Sequence, residues 1–407
     1  MFKVLVIVLF TLYFLFQMFL NILKYKNRNS EVPSELADLY DQETYIKWKN
    51  YSAEKIKLQI IEECINYVLT IVILVTNILA FASKNIENDY SSSIVVLLIS
   101  LASAQVLSSI FDYINTMKIE EKYGFNKTTK KTFIIDQIKN FIIMSAILIG
   151  ITCLFISLHK ALGNYILIVF TAVLFVIILG FVFLYPILSK INNKFVSLEE
   201  GSLRDSLIKM LESHNFKVKD IKVMDASRRT TKSNAYFAGF GKTKTIVLYD
   251  NILNVMTERE ILAIFAHEMG HGIHKDTIKN QALTIVQLAI IVFLAWVLTK
   301  VPTLYTDFGF NNMNYGFLMI VLSNALLPFA NVLMNMVSSL FSRKAEYKAD
   351  EQACIEGYGQ DLISALKNLY REDLGELNPH PLIVILSYTH PTLLQRIRHI
   401  NEFNSNK

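Results

Sequence analysis

The residues best suited to chemistry are two histidines four positions apart, with a glutamate directly after the first: His267-Glu268-Met269-Gly270-His271. On a helix this spacing places both imidazoles on one face, about one turn apart, where both can reach one Zn²⁺ ion. Glu268 lies beside them, where it can accept a proton from a water that the metal activates. A chance match is expected in roughly one chain of this length in a hundred. The alternative is an exposed histidine pair on an ordinary capped helix.

A catalytic zinc site needs a third protein ligand, and an acidic pair further along the chain offers one. Glu346 and Asp350 are four residues apart, so they share one helix face. We predict that Glu346 is the third ligand. Asp350 would accept a hydrogen bond from the second ring nitrogen of a ligating histidine and so fix its tautomer. Taken alone, such a pair near lysines is more typical of a solvated helix face.

The zinc motif belongs to a segment, residues 189–280, with the pattern of a small mixed domain. Thr257 and Glu260 have the spacing of a capping box, which predicts that a helix begins there and continues through the motif. Residues 199–213 have helical periodicity. Two β-type runs, residues 234–240 and 245–249, predict a hairpin.

The composition places this domain in a membrane protein. Of 407 residues, 53% are hydrophobic and 18% are charged, and the mean hydropathy is +0.37. A soluble domain has roughly 25% charged residues, so a wholly soluble globule is excluded, and the aromatic content excludes disorder. Three cysteines cannot form a disulfide framework. Seven apolar segments approach or exceed the roughly 20 residues that span a bilayer as a helix: residues 4–23, 64–82, 94–114, 141–158, 165–188, 283–301 and 316–341.

Basic residues are concentrated in alternate loops between these segments. Seven lie between the first two spans and six between the third and fourth, whereas residues 302–315 contain none. Basic loops face the cytoplasm, so residues 189–280 and the C-terminal tail are predicted to be cytoplasmic and the amino terminus external. Topology accounts for the basic excess, and we predict no nucleic-acid partner.

Several stretches, taken together and in order, resemble the type I CAAX prenyl endopeptidases, membrane-embedded zinc metalloproteases of the gluzincin class. Besides the zinc motif and the Glu346 segment, they are residues 120–127 (EEKYGFNK), 198–204 (LEEGSLR), 234–237 (NAYF), Gly239 with 246–250 (IVLYD), and 390–397 (HPTLLQRI). The resemblance implies an α-helical integral membrane protein, with about seven transmembrane helices around a chamber and a small α+β metalloprotease domain. It divides the chain into an N-terminal domain of five membrane helices, residues 1–188, and a metallopeptidase domain, residues 189–407, with two further membrane helices.

The resemblance also implies roles for individual residues. One catalytic zinc ion would have three ligands: His267, His271 and Glu346. The catalytic residues would be Glu268 as the base, Asp350 as a supporting acid, and His390. Asn234 would tether an extended substrate beside an edge strand, and His390 and Arg396 would contact substrate near the metal, where a donor stabilises an oxyanion. Without the resemblance, His390 would be an ordinary residue before the helix that follows Pro391.

These residues predict zinc-assisted peptide hydrolysis near the C-terminus of prenylated CAAX-type or other membrane-associated substrates. One alternative is a quality-control metalloprotease that cuts misfolded or stalled membrane proteins without a prenyl requirement, and another is a non-catalytic scaffold or transporter. We expect a monomer in the lipid bilayer with its active site on the cytoplasmic side. A composition rich in Ile, Lys and Asn favours a bacterial cytoplasmic membrane, and a eukaryotic chain would belong in the endoplasmic reticulum.

Overall fold

A computed structural model describes residues 1–188, 193–228, 235–238 and 243–406. The first part of the chain is helical throughout. In order, its helices are α1 (Phe2–Asn27), α2 (Gln42–Thr76), α3 (Ile78–Ser83), α4 (Asp89–Ile114), α5 (Glu121–Tyr123), α6 (Lys130–Leu162) and α7 (Ile166–Leu188).

The remainder of the chain begins with a small mixed region: β1 (Phe195–Ser197), α8 (Ser202–Ser213), β2 (Lys217–Met224), β3 (Ala235–Ala238), β4 (Thr243–Tyr249), α9 (Asp250–Val255) and α10 (Glu258–Ile273). It ends with seven helices: α11 (Asp276–Thr299), α12 (Pro302–Asp307), α13 (Tyr315–Val321), α14 (Leu327–Ile355), α15 (Gly359–Asp373), α16 (Pro381–Ser387) and α17 (Leu393–Ser405).

Six continuous helical stretches of the described residues are long and apolar enough to cross a membrane. The longest, Lys130–Phe181, contains α6 and most of α7. The chain reverses between them at Gly163, whose φ of 54° is readily adopted by glycine. The reversal is evident from the rings of Phe155 and Phe170, which lie 5.1 Å apart in an edge-to-face contact. A straight helix would separate residues this far apart in sequence by about 22 Å. The described residues therefore contain the seven predicted spans.

The second predicted span, residues 64–82, is not one helix. It breaks at Asn77, which has a left-handed backbone (φ 56°, ψ 23°), a conformation that asparagine tolerates better than most residues. Lys3 stabilises the break, because its Nζ donates to the Val75 carbonyl at 3.0 Å and to Asn77 Oδ1 at 2.8 Å. The helix also begins far earlier than the apolar run, at Gln42, where the Asp41 side chain accepts from the Thr44 N–H. Hydropathy marks only the apolar part of such a helix.

The last span carries residues of the predicted metal site. Between α13 and α14 the helix changes to a π-helical segment, Leu322–Leu326, just before Pro328. Proline cannot donate a backbone hydrogen bond, which explains the local change in helix type. Beyond Pro328, α14 continues without interruption to Ile355, so one helix extends from the membrane span to Glu346 and Asp350.

The described strands form one sheet in the order β1-β2-β4-β3, with β2 and β4 parallel and the other pairs antiparallel. The predicted hairpin is present as β3 and β4, where Tyr236 pairs with Val247. The sequence did not predict β1 or β2. Among the described strands β3 lies at the edge of the sheet, where another extended chain could pair with the side of its backbone that faces away from β4.

Close packing of α10 on α14 brings the two halves of the site together. A Cβ added to Gly270 would lie 2.9 Å from the Ala349 Cα and 3.0 Å from the Gln352 Cβ. Only glycine permits this approach of the two backbones. On its other sides α10 buries Ala263, Ala266 and Met269 in a core that includes residues of α8, α15, α17 and the sheet. Each large apolar side chain buried there contributes about 1.5–3 kcal/mol.

A cavity of about 580 Å³ lies between α2 and α4. Its walls include Gln59, Glu62, Asn66, Ser108 and Asp112. These polar and ionisable side chains line the space between the two helices, and groups of this kind are costly against lipid. The three cysteines, Cys64, Cys153 and Cys354, are all free, as expected.

Candidate metal centre

The helix that carries the predicted zinc motif begins with the predicted capping box. The Thr257 N–H donates to Glu260 Oε2 at 2.8 Å, and the Glu260 N–H donates to Thr257 Oγ1 at 3.3 Å. These reciprocal bonds satisfy two backbone donors that the first turn leaves open. The cap fixes where α10 starts and so which face carries His267 and His271.

The two histidines converge on Glu346 from the neighbouring helix. His267 Nε2 lies 3.4 Å from Glu346 Oε2, and His271 Nε2 lies 3.3 Å from Glu346 Oε1. One ligand atom from each residue lies within 4.8 Å of the other two, so the three could hold one metal ion. Ligand atoms about 2.0–2.2 Å from a tetrahedral zinc are separated by about 3.3–3.6 Å. The two His–Glu distances, one to each oxygen of the Glu346 carboxylate, are of this size.

The outer nitrogens of both imidazoles are held by carboxylates. His267 Nδ1 lies 2.8 Å from Asp350 Oδ1, and His271 Nδ1 lies 3.1 Å from Asp276 Oδ2. A carboxylate accepts, so each neutral ring donates through Nδ1 and keeps the lone pair of Nε2 directed toward Glu346. Asp350 takes the position expected from the sequence. The sequence did not predict Asp276, because its contact with His271 depends on the left-handed turn between α10 and α11 and not on helical spacing.

The donor set itself fits a cation. Glu346 Oε2 is buried and has no hydrogen-bond partner among the described residues. A buried carboxylate oxygen without a partner is costly, and a positive ion between it and two imidazole lone pairs removes that cost. Two nitrogens and one carboxylate are also the ligand types that zinc accepts at catalytic sites.

The acidic surroundings change the protonation of the histidines. Burial lowers the pKa of His271, but the hydrogen bond and charge of Glu346, together with Asp276, outweigh burial and raise this pKa to about 9. Burial and the charge of Arg396 likewise lower the pKa of His267, but Asp350 and Glu346 outweigh them and the net pKa is raised. Cations therefore bind favourably at this position, whether proton or metal.

Arg396 lies inside the protein beside the histidines. Its Nε donates to Asp350 Oδ2 at 3.0 Å and its Nη2 donates to Asp350 Oδ1 at 2.5 Å, a bidentate pair. Nη1 lies 3.7 Å from Glu346 Oε2. Arg396 is 8% exposed, so most of its donors are committed within the protein. Contact of Arg396 with substrate stays a prediction.

His390 reaches the same carboxylate from a loop. Its Nε2 lies 3.3 Å from Glu346 Oε1, and its side chain is 63% exposed. The surrounding protein removes water from part of the ring, and this desolvation lowers the pKa of His390. The charge of Arg396 acts in the same direction, and together they outweigh the charge of Glu346, which would raise this pKa. The following helix is capped by Thr392 and begins at Leu393, so His390 is not its cap. Arg343 anchors the loop, because its Nη1 donates to the Tyr388 carbonyl at 2.7 Å and the Val384 carbonyl at 3.2 Å.

The two remaining predicted site residues are Glu268 and Asn234. Glu268 follows His267 on α10 and is half-buried, so it remains accessible to solvent. Asn234 lies outside the described residues and directly precedes the edge strand β3.

Comparisons with known proteins cover nearly the whole chain. A model of the CAAX prenyl protease N-terminal region, described as five membrane helices, matches residues 21–190, and the model of peptidase family M48 matches residues 197–404. The CAAX prenyl protease 1 homolog of Arabidopsis thaliana is 31% identical over 91% of this chain and 90% of its own. CAAX prenyl protease 1 of Saccharomyces cerevisiae is 30% identical, covering 97% and 94%.

A solved structure gives the same result for the fold. The crystal structure of S. mikatae Ste24p matches with a TM-score of 0.91 and 27% sequence identity, covering 98% of this chain and 99% of the other. The two alternatives without proteolysis, a scaffold and a transporter, are therefore set aside. The protein spans the membrane several times, and its two matched regions together with the full-length relatives show that the chain belongs to the CAAX prenyl protease group of peptidase family M48, a family of metalloendopeptidases.

Proposed function

We propose that the protein is a zinc-dependent membrane endopeptidase that cuts peptide bonds near the C-terminus of prenylated CAAX-type proteins. The observation that carries the catalytic part is the orientation of His267 and His271, whose Nε2 atoms both face Glu346 while Asp350 and Asp276 hold their Nδ1 atoms. Similarity to proteins named CAAX prenyl protease 1 supports the substrate class.

His267, His271 and Glu346 would be the ligands of one zinc ion. When bound, zinc polarises the scissile carbonyl and lowers the pKa of the attacking water. Glu268 accepts the proton of that water, since it is the acidic residue beside the ligands on the same helix and remains solvent-accessible. It then delivers the proton to the leaving amine.

The edge strand β3 suits an extended substrate. A peptide added beside β3 would form main-chain hydrogen bonds along the side that no described strand pairs with, as in β-augmentation. Asn234, directly before β3, would tether the peptide backbone at the end of that strand. All proposed ligands come from one chain, which supports a monomer as the active form.

His390 is proposed to donate a hydrogen bond to the oxyanion that develops on the scissile carbonyl. We expect His390→Ala to lower kcat by about 10²–10³-fold, as loss of one such donor does elsewhere, with zinc content and thermal stability unchanged. Steady-state kinetics and metal analysis on the same preparation check this. A variant that loses zinc or unfolds would instead show that His390 serves the fold.

Arg396 is proposed to act mainly by holding Asp350 in place. Its Nη1, 3.7 Å from Glu346 Oε2, would attract the carboxylate of a substrate. Loss of Arg396 would leave Asp350 buried without its bidentate partner. Comparing a peptide acid with its amide separates the two roles. If Arg396→Ala still favours the acid as strongly as wild type does, the substrate role is excluded.

The active site is proposed to face the cytoplasm. Lys127 and Asn312 are exposed positions in loops predicted to lie on opposite sides of the membrane. In a cysteine-free background, Asn312→Cys should react with a membrane-impermeant thiol reagent in intact cells, and Lys127→Cys should react only after the cells are lysed. Labelling of Lys127→Cys alone in intact cells would invert the topology and place the metal centre outside.

Substrate class is tested by cleavage of three matched substrates. A farnesylated CAAX peptide, the same peptide without the farnesyl group, and an unfolded membrane protein are compared by kcat/KM with the purified enzyme. The proposal expects the farnesylated peptide to be preferred. Preference for the unfolded protein would identify a quality-control protease.

A further inference from the structure

Asp276 is a buried carboxylate that contacts neither substrate nor metal in the proposed reaction. It lies in the first turn of α11 and is only 5% exposed. Its Oδ2 accepts from His271 Nδ1 at 3.1 Å, and its Oδ1 accepts from Lys279 Nζ at 2.9 Å. Burying a carboxylate is costly unless its oxygens are hydrogen-bonded. Both oxygens of Asp276 have such a partner, and one of these partners is a proposed metal ligand.

The backbone takes an unfavourable conformation to place Asp276 there. Lys275, between α10 and α11, has a left-handed backbone (φ 56°, ψ 36°), which is uncommon for residues with a side chain. This turn directs the chain back, so the first residue of α11 contacts His271 near the end of α10. Nothing in the helical spacing of the zinc motif requires such a turn.

Asp276 and Asp350 hold the two histidines in the same way but differ in their own partners. Asp350 is fully buried and is fixed by the buried guanidinium of Arg396. Asp276 is paired with Lys279, whose side chain is 60% exposed. The ring of His271 is itself more exposed than that of His267, 25% against 8%. Packing therefore restrains the ring of His271 less than that of His267.

We propose that Asp276 is a positioning residue that holds His271 in the tautomer and orientation presenting Nε2 to the metal, as the counterpart of Asp350 at His267. This inference rests on the proposed metal site. It assigns Asp276 no contact with substrate.

Zinc affinity of the purified protein tests the proposal. Competition with a chelator at one fixed pH would be measured for Asp276→Ala and Asp276→Asn. Loss of the partner of a ligating histidine typically lowers metal affinity by about 10–100-fold, and we expect Asp276→Ala at the upper end of that range. Asp276→Asn should lie at the lower end, because its amide oxygen still accepts from Nδ1. The absorption spectrum of the Co²⁺-substituted protein should shift in both variants, since it reports ligand geometry directly.

The matched control is Asp361→Asn. Asp361 also lies in the first turn of a helix and pairs with a cation, since Arg259 Nη2 is 2.8 Å from its Oδ2. Arg259 is not one of the proposed metal ligands. This variant should keep wild-type zinc affinity and the Co²⁺ spectrum. If Asp276→Ala does not fold, the nearly isosteric Asp276→Asn decides the question. Affinity within about twofold of wild type in Asp276→Asn, with an unchanged Co²⁺ spectrum, overturns the positioning role.

Glu346→Ala separates this inference from the proposed function. If Glu346→Ala keeps wild-type zinc affinity, the metal site itself is wrong. If Glu346→Ala loses zinc while both Asp276 variants keep it, the metal site stands and the role of Asp276 is rejected.

Discussion

Glu268→Ala is expected to lower peptide hydrolysis by about 10²–10⁴-fold, the usual contribution of a general base, while zinc remains bound. The substitution removes the carboxylate that would take the proton of the attacking water, but it leaves the proposed ligands His267, His271 and Glu346 in place. Zinc content by metal analysis and kcat/KM on a fluorogenic farnesylated peptide, measured on one preparation, check both parts.

Two further variants make this result specific. Glu268→Gln keeps the size of the side chain and should be as inactive as Glu268→Ala, because an amide does not accept the proton. Glu258→Ala changes a glutamate in the first turn of the same helix, where it bonds Ser202, and should keep near wild-type activity. Near wild-type turnover in Glu268→Gln would show that another group is the base.

Glu346→Ala should abolish activity by a different route, through loss of the metal. Wild type should contain about one zinc per chain, and the variant close to none, because two histidines alone do not complete a catalytic site of three protein ligands. Removing the carboxylate also removes the negative charge that both imidazoles and His390 face. Metal analysis after purification, together with the hydrolysis assay, measures the effect.

Glu351→Ala is the matched control for this variant. Glu351 lies on the same helix and also contacts a histidine, with His399 Nε2 at 3.0 Å, but it is not among the proposed ligands. It should keep zinc and activity. Full zinc occupancy in Glu346→Ala, with Glu351→Ala unchanged, would remove Glu346 from the metal centre and with it the proposed ligand set.

Local sequence patterns determined much of the architecture. The capping box at Thr257 predicted where α10 begins, and the four-residue spacing of His267 and His271 predicted a shared helix face. Both depend only on interactions within one or two helical turns, which sequence spacing specifies directly. The membrane spans also follow from composition, because a bilayer selects apolar segments of a given length.

Helix boundaries and interruptions required the structure. The break at Asn77 depends on Lys3, which is distant in sequence and donates to the groups that the break exposes. The strand β1 has only three residues, and the strands that pair with β1 and β2 include segments distant in sequence. Residues 216–223 (FKVKDIKV) do alternate apolar and charged side chains, but the alternation shifts by one residue at the irregularity between Val218 and Asp220.

For the metal centre, too, some features follow from the sequence and others from the tertiary structure. The sequence by itself determined which residues have ligand chemistry and which of them share a helix face. Only the tertiary structure decided that Glu346 meets both histidines, through the close contact of Gly270 with Ala349, and that Arg396 binds Asp350. It also decided that Asp276, after the left-handed turn at Lys275, reaches His271. Side-chain identity and helical period are local properties that the sequence specifies directly. The contacts of Glu346 and Arg396 depend on packing between segments far apart in the chain. The contact of Asp276 depends on one backbone conformation, that of Lys275, which residue spacing does not specify.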